Sequence, residues 1–157
     1  MTMKLPALDP KTLEVVNRCG YPEPYRSQVL PREKRCLGDA CGLTRIGINH
    51  TTLHPGTVSS MRHWHSHEDE FIYMLEGEVI LKTDAGEQRL TPGMCAGFKS
   101  GSTDGHQLVN RSARPAVYLE ISNRDSEDVA DYSEADLRWN APGHRGKFTR
   151  KDGTPHA

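Results

Sequence analysis

The chain has 157 residues, with 20 Lys and Arg against 21 Asp and Glu and a formal net charge of −1. This length suggests one domain with a substantial core, and the balanced charge gives no basic excess for binding nucleic acid. No apolar stretch approaches the roughly 20 residues that span a bilayer, and the N-terminal sequence lacks the apolar segment of a secretory signal. We therefore expect a cytoplasmic protein with reduced cysteines and without nucleic-acid or membrane partners.

Residues 1–42 are predicted to form a short, polar N-terminal arm. Asp9 and Pro10 are typical of a helix start, and Gly20 is placed to end that helix, so a short helix is expected between them. The prolines that follow at 22, 24 and 31 favour an extended chain, because proline disfavours helical backbone at the residue before it.

Residues 43–123 carry the pattern of a β-domain. Short β-rich runs alternate with Gly, Pro and Asp turns, namely LTRIGINHTTL, TVSSMRHWH, EFIYMLE, EVILKT, EQRL, MCAGF, HQLVN and AVYLEIS. Closely spaced short strands of this kind predict an all-β sandwich or barrel. Residues 124–157 become polar again and are predicted to form a short C-terminal arm that packs on or near the barrel.

The segment HWHSHEDE concentrates metal-binding side chains. Successive side chains of a strand point to opposite faces, so His63 and His65 share one face. Two imidazoles at this spacing can bind one metal. Residues 66–69 are expected to turn the chain, and Glu70 then begins the next strand with a carboxylate that can face the same metal.

His67 leaves an alternative open. On strict alternation it shares a face with His65, so His65 and His67 could form the ligand pair instead; a bend at Ser66 would leave His67 in the turn. The spacing to Glu70 favours the pair of His63 and His65. Asp69 is either a solvated turn residue or a group that orients a ligand histidine.

A later segment, GHQLVN, supplies a further candidate. His106 is the expected fourth ligand, since a strand in this region can face the same barrel interior. Asn110 lies on the same strand face, where it is more plausibly a buried turn residue than a ligand.

These residues resemble the two sequence motifs of the cupin superfamily. The first motif, G-x5-H-x-H-x3-4-E-x6-G, is matched from Gly56 to Gly77 with one extra residue after the first glycine. The second, G-x5-P-x-G-x2-H-x3-N, is matched at its ends by Gly86 and Asn110, whereas its middle is longer here. The flanking segments are similar to a mostly uncharacterised branch of small bacterial cupins.

The resemblance implies a double-stranded β-helix, the jelly-roll barrel of cupins, often assembled as a homodimer. It also implies one divalent metal inside the barrel, for which the matching residues are His63, His65, Glu70 and His106. Three imidazoles and one carboxylate suit Fe, Mn, Ni, Co or Zn. No other cofactor is expected.

Three functions remain compatible with such a site, because cupins host many chemistries. The first is a metal-dependent enzyme acting on a small polar metabolite, in the manner of a sugar-phosphate isomerase. The second is an Fe(II)-dependent dioxygenase, and the third is a non-catalytic module that binds a small molecule.

The sequence does not identify a catalytic base. Glu120 is a candidate, yet an outward position on its strand is as plausible. Arg62 and Lys99 could anchor a phosphate, although each also reads as a surface charge. Trp64 and Tyr73 are expected on the outer face, where they would contribute to a dimer interface.

Overall fold

The computed structural model describes residues 6–140 and 146–156, so parts of both predicted arms lie outside the described residues. The helical elements are short: a 3-10 helix at Pro10–Thr12, α1 at Arg26–Val29 and α2 at Leu37–Ala40. The strands are β1 Arg32–Cys36, β2 Ile46–Leu53, β3 His63–His65, β4 Glu70–Glu76, β5 Val79–Thr83, β6 Gly86–Leu90, β7 Cys95–Phe98, β8 Gln107–Val109, β9 Ala116–Asn123, β10 Val129–Tyr132, β11 Arg138–Asn140 and β12 Lys147–Thr149.

The strands form three antiparallel sheets, as the all-β prediction requires. The five-stranded sheet has the order β1-β2-β9-β4-β7, the four-stranded sheet the order β12-β11-β10-β3, and the three-stranded sheet the order β6-β5-β8. Each predicted β-rich run contains a strand. The run TVSSMRHWH is strand only over its last three residues, and the rest of it is held by a backbone bridge from Val58 to Val109.

The helix expected between Pro10 and Gly20 is wrong. Asp9 caps only one 3-10 turn, its carboxylate accepting a hydrogen bond from the Lys11 N–H at 2.9 Å. The chain then extends, and Val16 exchanges backbone hydrogen bonds with Lys34. Few apolar residues in this segment can face a core, and tertiary packing supplies most of a helix's stability, so the chain pairs with a strand instead.

Strand pairing continues beyond both predicted limits of the barrel, 43 and 123. Strand β1, within the predicted N-terminal arm, pairs with β2 over its whole length, with Arg32 opposite Leu53. Strand β10, within the predicted C-terminal arm, pairs with β3, with Tyr132 opposite His63. The terminal segments therefore build part of the barrel wall.

Two apolar clusters hold these sheets together. The larger one lies between the five-stranded and three-stranded sheets and includes the following buried residues: Leu53, Ile72, Met74, Val79, Leu81, Leu90, Leu108, Ala116 and Tyr118. The smaller one, Tyr21, Val29, Ala130, Tyr132 and Leu137, packs the N-terminal segment against β10. Burial of these side chains drives folding, and the cavity described below opens between the two clusters.

The structure confirms the prediction that Asn110 is a buried turn residue. Its side-chain amide donates to the carbonyls of Leu53 and Arg114 at 2.8 Å, and its carbonyl oxygen accepts the Ser112 N–H. The side chain is fully buried, so this network satisfies backbone groups that would otherwise lack partners. Asn110 thereby anchors the end of β8, which follows His106.

The outer face of the five-stranded sheet exposes apolar side chains. Phe71, Tyr73 and Leu75 alternate along β4 and are 38%, 40% and 37% exposed. Trp64 is half-buried at the edge of a small cavity rather than on this face. Among the residues that the structure describes, no helix is long and apolar enough to span a membrane.

Candidate metal centre

Strand β3 presents two histidines to the barrel interior. His63 and His65 lie on one face of this strand, and their ring centroids are 5.0 Å apart. Backbone hydrogen bonds from His63 to His106 hold β3 beside the segment that leads into β8. This pairing brings a histidine from a distant part of the sequence to the same place.

Glu70, the first residue of β4, lies at the centre of the histidines. Its Oε2 atom is 2.7 Å from the Nε2 of His106, 3.5 Å from that of His65 and 3.6 Å from that of His63. The Nε2 atoms of the three predicted ligand histidines therefore all lie within 3.6 Å of one Glu70 oxygen. No hydrogen bond of good geometry reaches this buried oxygen.

Contacts on the side away from Glu70, or on the ring face, orient the three histidine rings. The Nδ1 of His63 donates to the Met61 carbonyl at 2.9 Å, and the Nδ1 of His65 lies 2.6 Å from an oxygen of Asp128. These contacts turn both Nε2 atoms towards Glu70. His106 is oriented instead by stacking on Phe98, with ring centroids 3.6 Å apart and an angle of 4° between the rings.

Asp128 is a site residue that the sequence analysis missed. It is 2% exposed, and its second oxygen accepts the backbone N–H groups of His67 and Glu68. It therefore orients His65 and shapes the turn between β3 and β4. Asp69, the candidate for the orienting role, instead accepts the Ser100 N–H on the surface.

His67 does not face the other histidines. Its side chain is exposed in the turn, and its Nδ1 lies 2.8 Å from the Ser66 hydroxyl. The chain bends at Ser66, whose backbone N–H donates to Val129. The geometry thus favours the pair of His63 and His65 over the pair of His65 and His67.

The electrostatics of the centre follow from its burial and its opposite charges. Burial acts to raise the pKa of Glu70, but contacts with His106 and His63 outweigh it and hold that pKa well below its usual range. Burial acts to lower the pKa of His65, but Asp128 and Glu70 raise it to about 9. Burial lowers the pKa of His106. The centre therefore holds an anionic carboxylate among imidazoles.

This donor set fits a transition metal. Three Nε2 atoms surround one carboxylate oxygen that is buried without a hydrogen bond, and such an orphaned oxygen normally has a further partner. His63 and His65 have ring contacts at Nδ1 that turn Nε2 towards Glu70, as is typical of metal-binding histidines. His63, Glu70 and His106 offer ligand atoms within 4.8 Å of one another.

A cavity of about 390 Å³ adjoins the centre, within the usual range for small-molecule sites. The five-stranded sheet supplies polar side chains to its wall, among them Arg32 and Lys34 from β1 and Tyr118 and Glu120 from β9. The Lys34 ammonium lies 2.7 Å from the Glu120 carboxylate. Glu120 therefore faces inward, and the outward position considered for it is wrong.

The two cations considered as phosphate anchors lie elsewhere. Arg62 is paired with Asp84 and Glu134 outside this cavity. Lys99 lines a second, smaller cavity of about 230 Å³ on the other side of the centre. The sequence around Arg32 and Lys34 gives no signal for a barrel strand, because β1 has no alternation of apolar residues.

Comparison with known proteins places this fold and these motifs in a family. Residues 49–122 match the family described as Cupin domain. A sugar phosphate isomerase of the cupin superfamily from Silicibacter pomeroyi is 39% identical, with 97% of each chain covered and a TM-score of 0.92. The chain belongs to the cupin superfamily. The predicted double-stranded β-helix is thereby confirmed for this cupin.

Two further structures are similar to this cupin. A putative sugar phosphate isomerase from Acidithiobacillus ferrooxidans is 28% identical, with 80% of each chain covered and a TM-score of 0.72. The polyketide cyclase RemF from Streptomyces resistomycificus is 19% identical, with 79% of this chain and 81% of that chain covered and a TM-score of 0.62, which shows the fold alone. A comparison with curated protein sequences gives no match.

Proposed function

We propose that this cupin is a metal-dependent enzyme that acts on a small polar metabolite. The observation that carries the proposal is the position of Glu70 Oε2, surrounded by three histidine Nε2 atoms at the wall of a cavity that also contains Glu120. His63, His65, Glu70 and His106 would hold one divalent transition metal, for which Fe, Mn, Ni, Co and Zn all fit the donor set.

The metal would act as a Lewis acid that polarises a carbonyl or hydroxyl oxygen of the substrate. Asp128 would keep His65 aligned, and Phe98 would keep His106 aligned. The cavity wall would exclude bulk water from the reacting atoms, which strengthens electrostatic interactions there.

Glu120 would move the proton. Burial acts to raise its pKa, but the charges of Lys34 and Arg32 lower it overall, so the carboxylate is ionised and ready to accept a proton. Its Oε2 atom has only a long hydrogen bond, 3.3 Å from the Thr51 hydroxyl. From that atom it would take the proton of a hydroxyl-bearing carbon beside a carbonyl and return it to the carbonyl carbon, while the hydroxyl proton passes to the former carbonyl oxygen. Such an isomerisation is redox-neutral and needs no further reactant.

The similarity to one sugar phosphate isomerase and to one putative sugar phosphate isomerase supports an isomerisation of this kind, with a sugar phosphate as the first substrate to test. Elemental analysis of protein purified without added metal, combined with a substrate screen on the same sample, tests the proposal. Turnover that stops without air would identify a dioxygenase instead, and tight binding without product would identify a non-catalytic binding protein.

Replacing Glu120 by Gln is expected to lower kcat on the accepted substrate by roughly 100- to 10,000-fold, the usual contribution of a general base. Metal content should stay the same, because Glu120 is not among the proposed ligands. Glu87→Gln provides the control, since Glu87 is a surface carboxylate paired with Arg111. Equal activity in Glu120→Gln and the wild type would exclude Glu120 as the base.

Replacing Asp128 by Asn is expected to weaken metal binding by roughly 10- to 100-fold, as loss of a partner behind a ligand histidine commonly does. The amide keeps an oxygen for the backbone N–H groups of the turn but removes the negative charge beside His65. Titration with metal under a competing chelator measures the effect. Asp69→Asn, a change on the surface, should bind metal as the wild type does; a similar loss in both variants would contradict the role given to Asp128.

We also propose that this cupin is a symmetric homodimer, as the sequence analysis expects, in the cytoplasm. The apolar outer face of β4, with Phe71, Tyr73 and Leu75, offers a self-complementary surface for a second copy. All four cysteines are free, which suits a reducing compartment.

Light scattering at micromolar concentration is expected to give the mass of a dimer, and Tyr73→Glu should give a monomer. The charge would lie at the centre of the apolar face, where a contact with a second copy would desolvate it. Metal content should not change, because Tyr73 points away from the centre. A monomeric wild type would contradict the proposal.

A further inference from the structure

Arg32 is a cation that faces the main cavity without an acidic partner. One terminal nitrogen donates to the Ser59 carbonyl, and the Nε atom is buried without a hydrogen bond. Within the described part of the chain, no carboxylate lies within ion-pair distance of Arg32, whereas Lys34, the other β1 cation that lines this cavity, is paired with Glu120. A partly buried guanidinium without a counter-ion is poised to bind an anion.

Tyr118 adds a second unused donor to the same wall. Its side chain is fully buried, lines the cavity and has a hydroxyl without a hydrogen-bond partner. Burial and the neighbouring Glu120 raise its pKa, so the hydroxyl stays protonated and can donate. Buried hydroxyl groups are nearly always hydrogen-bonded, so an unpartnered one that faces a cavity points to a ligand atom.

Lys34 stands between these groups and Glu120. Its ammonium has three N–H donors, and the contact with Glu120 uses one of them. In the five-stranded sheet Lys34 is opposite Thr51, and Thr51 is opposite Tyr118, so the two side chains lie in one row across the inner face. Lys34 can therefore hold Glu120 and still contribute charge to an anion.

Arg32 and Lys34 lie across the cavity from the metal centre, and Tyr118 lies on β9, between β1 and β4 in the sheet. Glu70 is on β4 and Arg32 on β1, three strands away in the sheet order. With neighbouring strands about 4.8 Å apart, the two backbones are separated by roughly 14 Å, and the side chains reach inward from both sides. Glu120 on β9 lies between them, where it can reach the middle of a bound molecule.

We propose that Arg32, Lys34 and Tyr118 form a subsite for the phosphate group of the substrate. A phosphate monoester has three terminal oxygens, one for each of the three side chains, whereas a carboxylate has two. The inference deepens the proposed function by assigning the residues that would bind the phosphate of the substrate. It rests on that function only for the placement of the reacting atoms by the metal centre. The reacting carbons would lie between this subsite and His63, His65, Glu70 and His106.

Inorganic phosphate is the probe for the test, with acetate as the carboxylate for comparison. Binding is measured calorimetrically on the full-length protein as purified, with metal content determined for every sample, and again after chelation. Arg32→Gln is expected to weaken phosphate binding by roughly 10- to 100-fold and Tyr118→Phe by about five-fold, the usual effects of losing a charged and a neutral hydrogen bond. Arg35→Gln is the matched control, since Arg35 is on the same strand but on the opposite face.

If the subsite is correct, Arg32→Gln and Tyr118→Phe keep the wild-type metal content. Arg35→Gln should bind phosphate as the wild type does. Phosphate should also still bind to the wild type after chelation. Equal phosphate affinity in all variants would overturn it, as would phosphate binding only to metal-loaded protein. Tighter binding of acetate than of phosphate would also overturn it. Failure of metal loading, by contrast, would overturn the proposed function and leave the measured role of Arg32 intact.

Discussion

His63→Ala is expected to purify almost free of metal, whereas His67→Ala should keep nearly the wild-type content. The first change removes one of three Nε2 atoms around Glu70, and the second removes an exposed ring that contacts Ser66. Loss of a ligand should exceed the roughly 10- to 100-fold that loss of a supporting partner costs in metal affinity. Elemental analysis of both variants, purified in parallel, measures the difference.

Thermal unfolding gives a second readout that does not depend on activity. Metal that binds only the folded state adds about 2.7 kcal/mol at a concentration 100 times Kd. In a domain of this size that corresponds to a rise in Tm of about 5–11 °C. We expect such a rise for the wild type and for His67→Ala, and almost none for His63→Ala.

The barrel itself should tolerate either change, because its stability comes mainly from the apolar cluster that contains Ile72, Met74, Val79 and Leu81. Loss of metal in His67→Ala with retention in His63→Ala would show that the ligand pair is His65 and His67, a shift of two residues along the chain. Loss in both variants would instead implicate the turn as a whole.

Local spacing made much of this centre predictable. Alternation on β3 places His63 and His65 on one face, and the four-residue turn places Glu70 at the start of β4. His106 lies far along the sequence, and only the barrel context and the second motif suggested it. The structure supplies the missing link, since His63 and His106 are joined by backbone hydrogen bonds.

The remaining cavity residues had no such local signal. The inner face of β1 is polar because it lines a cavity rather than the core. The sequence REKRC is therefore typical of a solvent-exposed segment and does not predict a barrel strand. For Glu120 the alternation with Tyr118 was correct, but alternation alone does not say which face is inside. The pairing of β9 with β2 and β4 shows which face is inside, because Tyr118 is opposite the buried residues Thr51 and Met74.

Gly77→Ala is expected to destabilise the fold strongly, whereas Gly56→Ala should have a smaller effect. Both glycines belong to the first motif and both have positive φ, +69° at Gly77 and +79° at Gly56. A left-handed conformation costs a residue with a Cβ atom about 1–2 kcal/mol, so this penalty is shared. The two positions differ in the space around them.

A Cβ atom at Gly77 would lie 2.5 Å from the Pro115 carbonyl oxygen and 2.9 Å from the Ala116 Cα. These are backbone atoms at the start of β9, and they can move only if the strand between β2 and β4 moves with them. At Gly56 no atom lies within 4 Å of such a Cβ. Adding a typical overpacking penalty to the shared term gives about 2–5 kcal/mol for Gly77→Ala, against about 1–2 kcal/mol for Gly56→Ala.

Urea denaturation of both variants measures this difference in the free energy of unfolding. Gly77 directly follows β4, whose first residue is Glu70. A displaced β4–β9 contact would therefore loosen the sheet that carries both Glu70 and Glu120. We therefore expect Gly77→Ala also to release metal at a lower urea concentration than Gly56→Ala. Equal destabilisation by the two changes would mean that backbone conformation alone explains the motif glycines, and that the close approach of Pro115 to Gly77 contributes nothing.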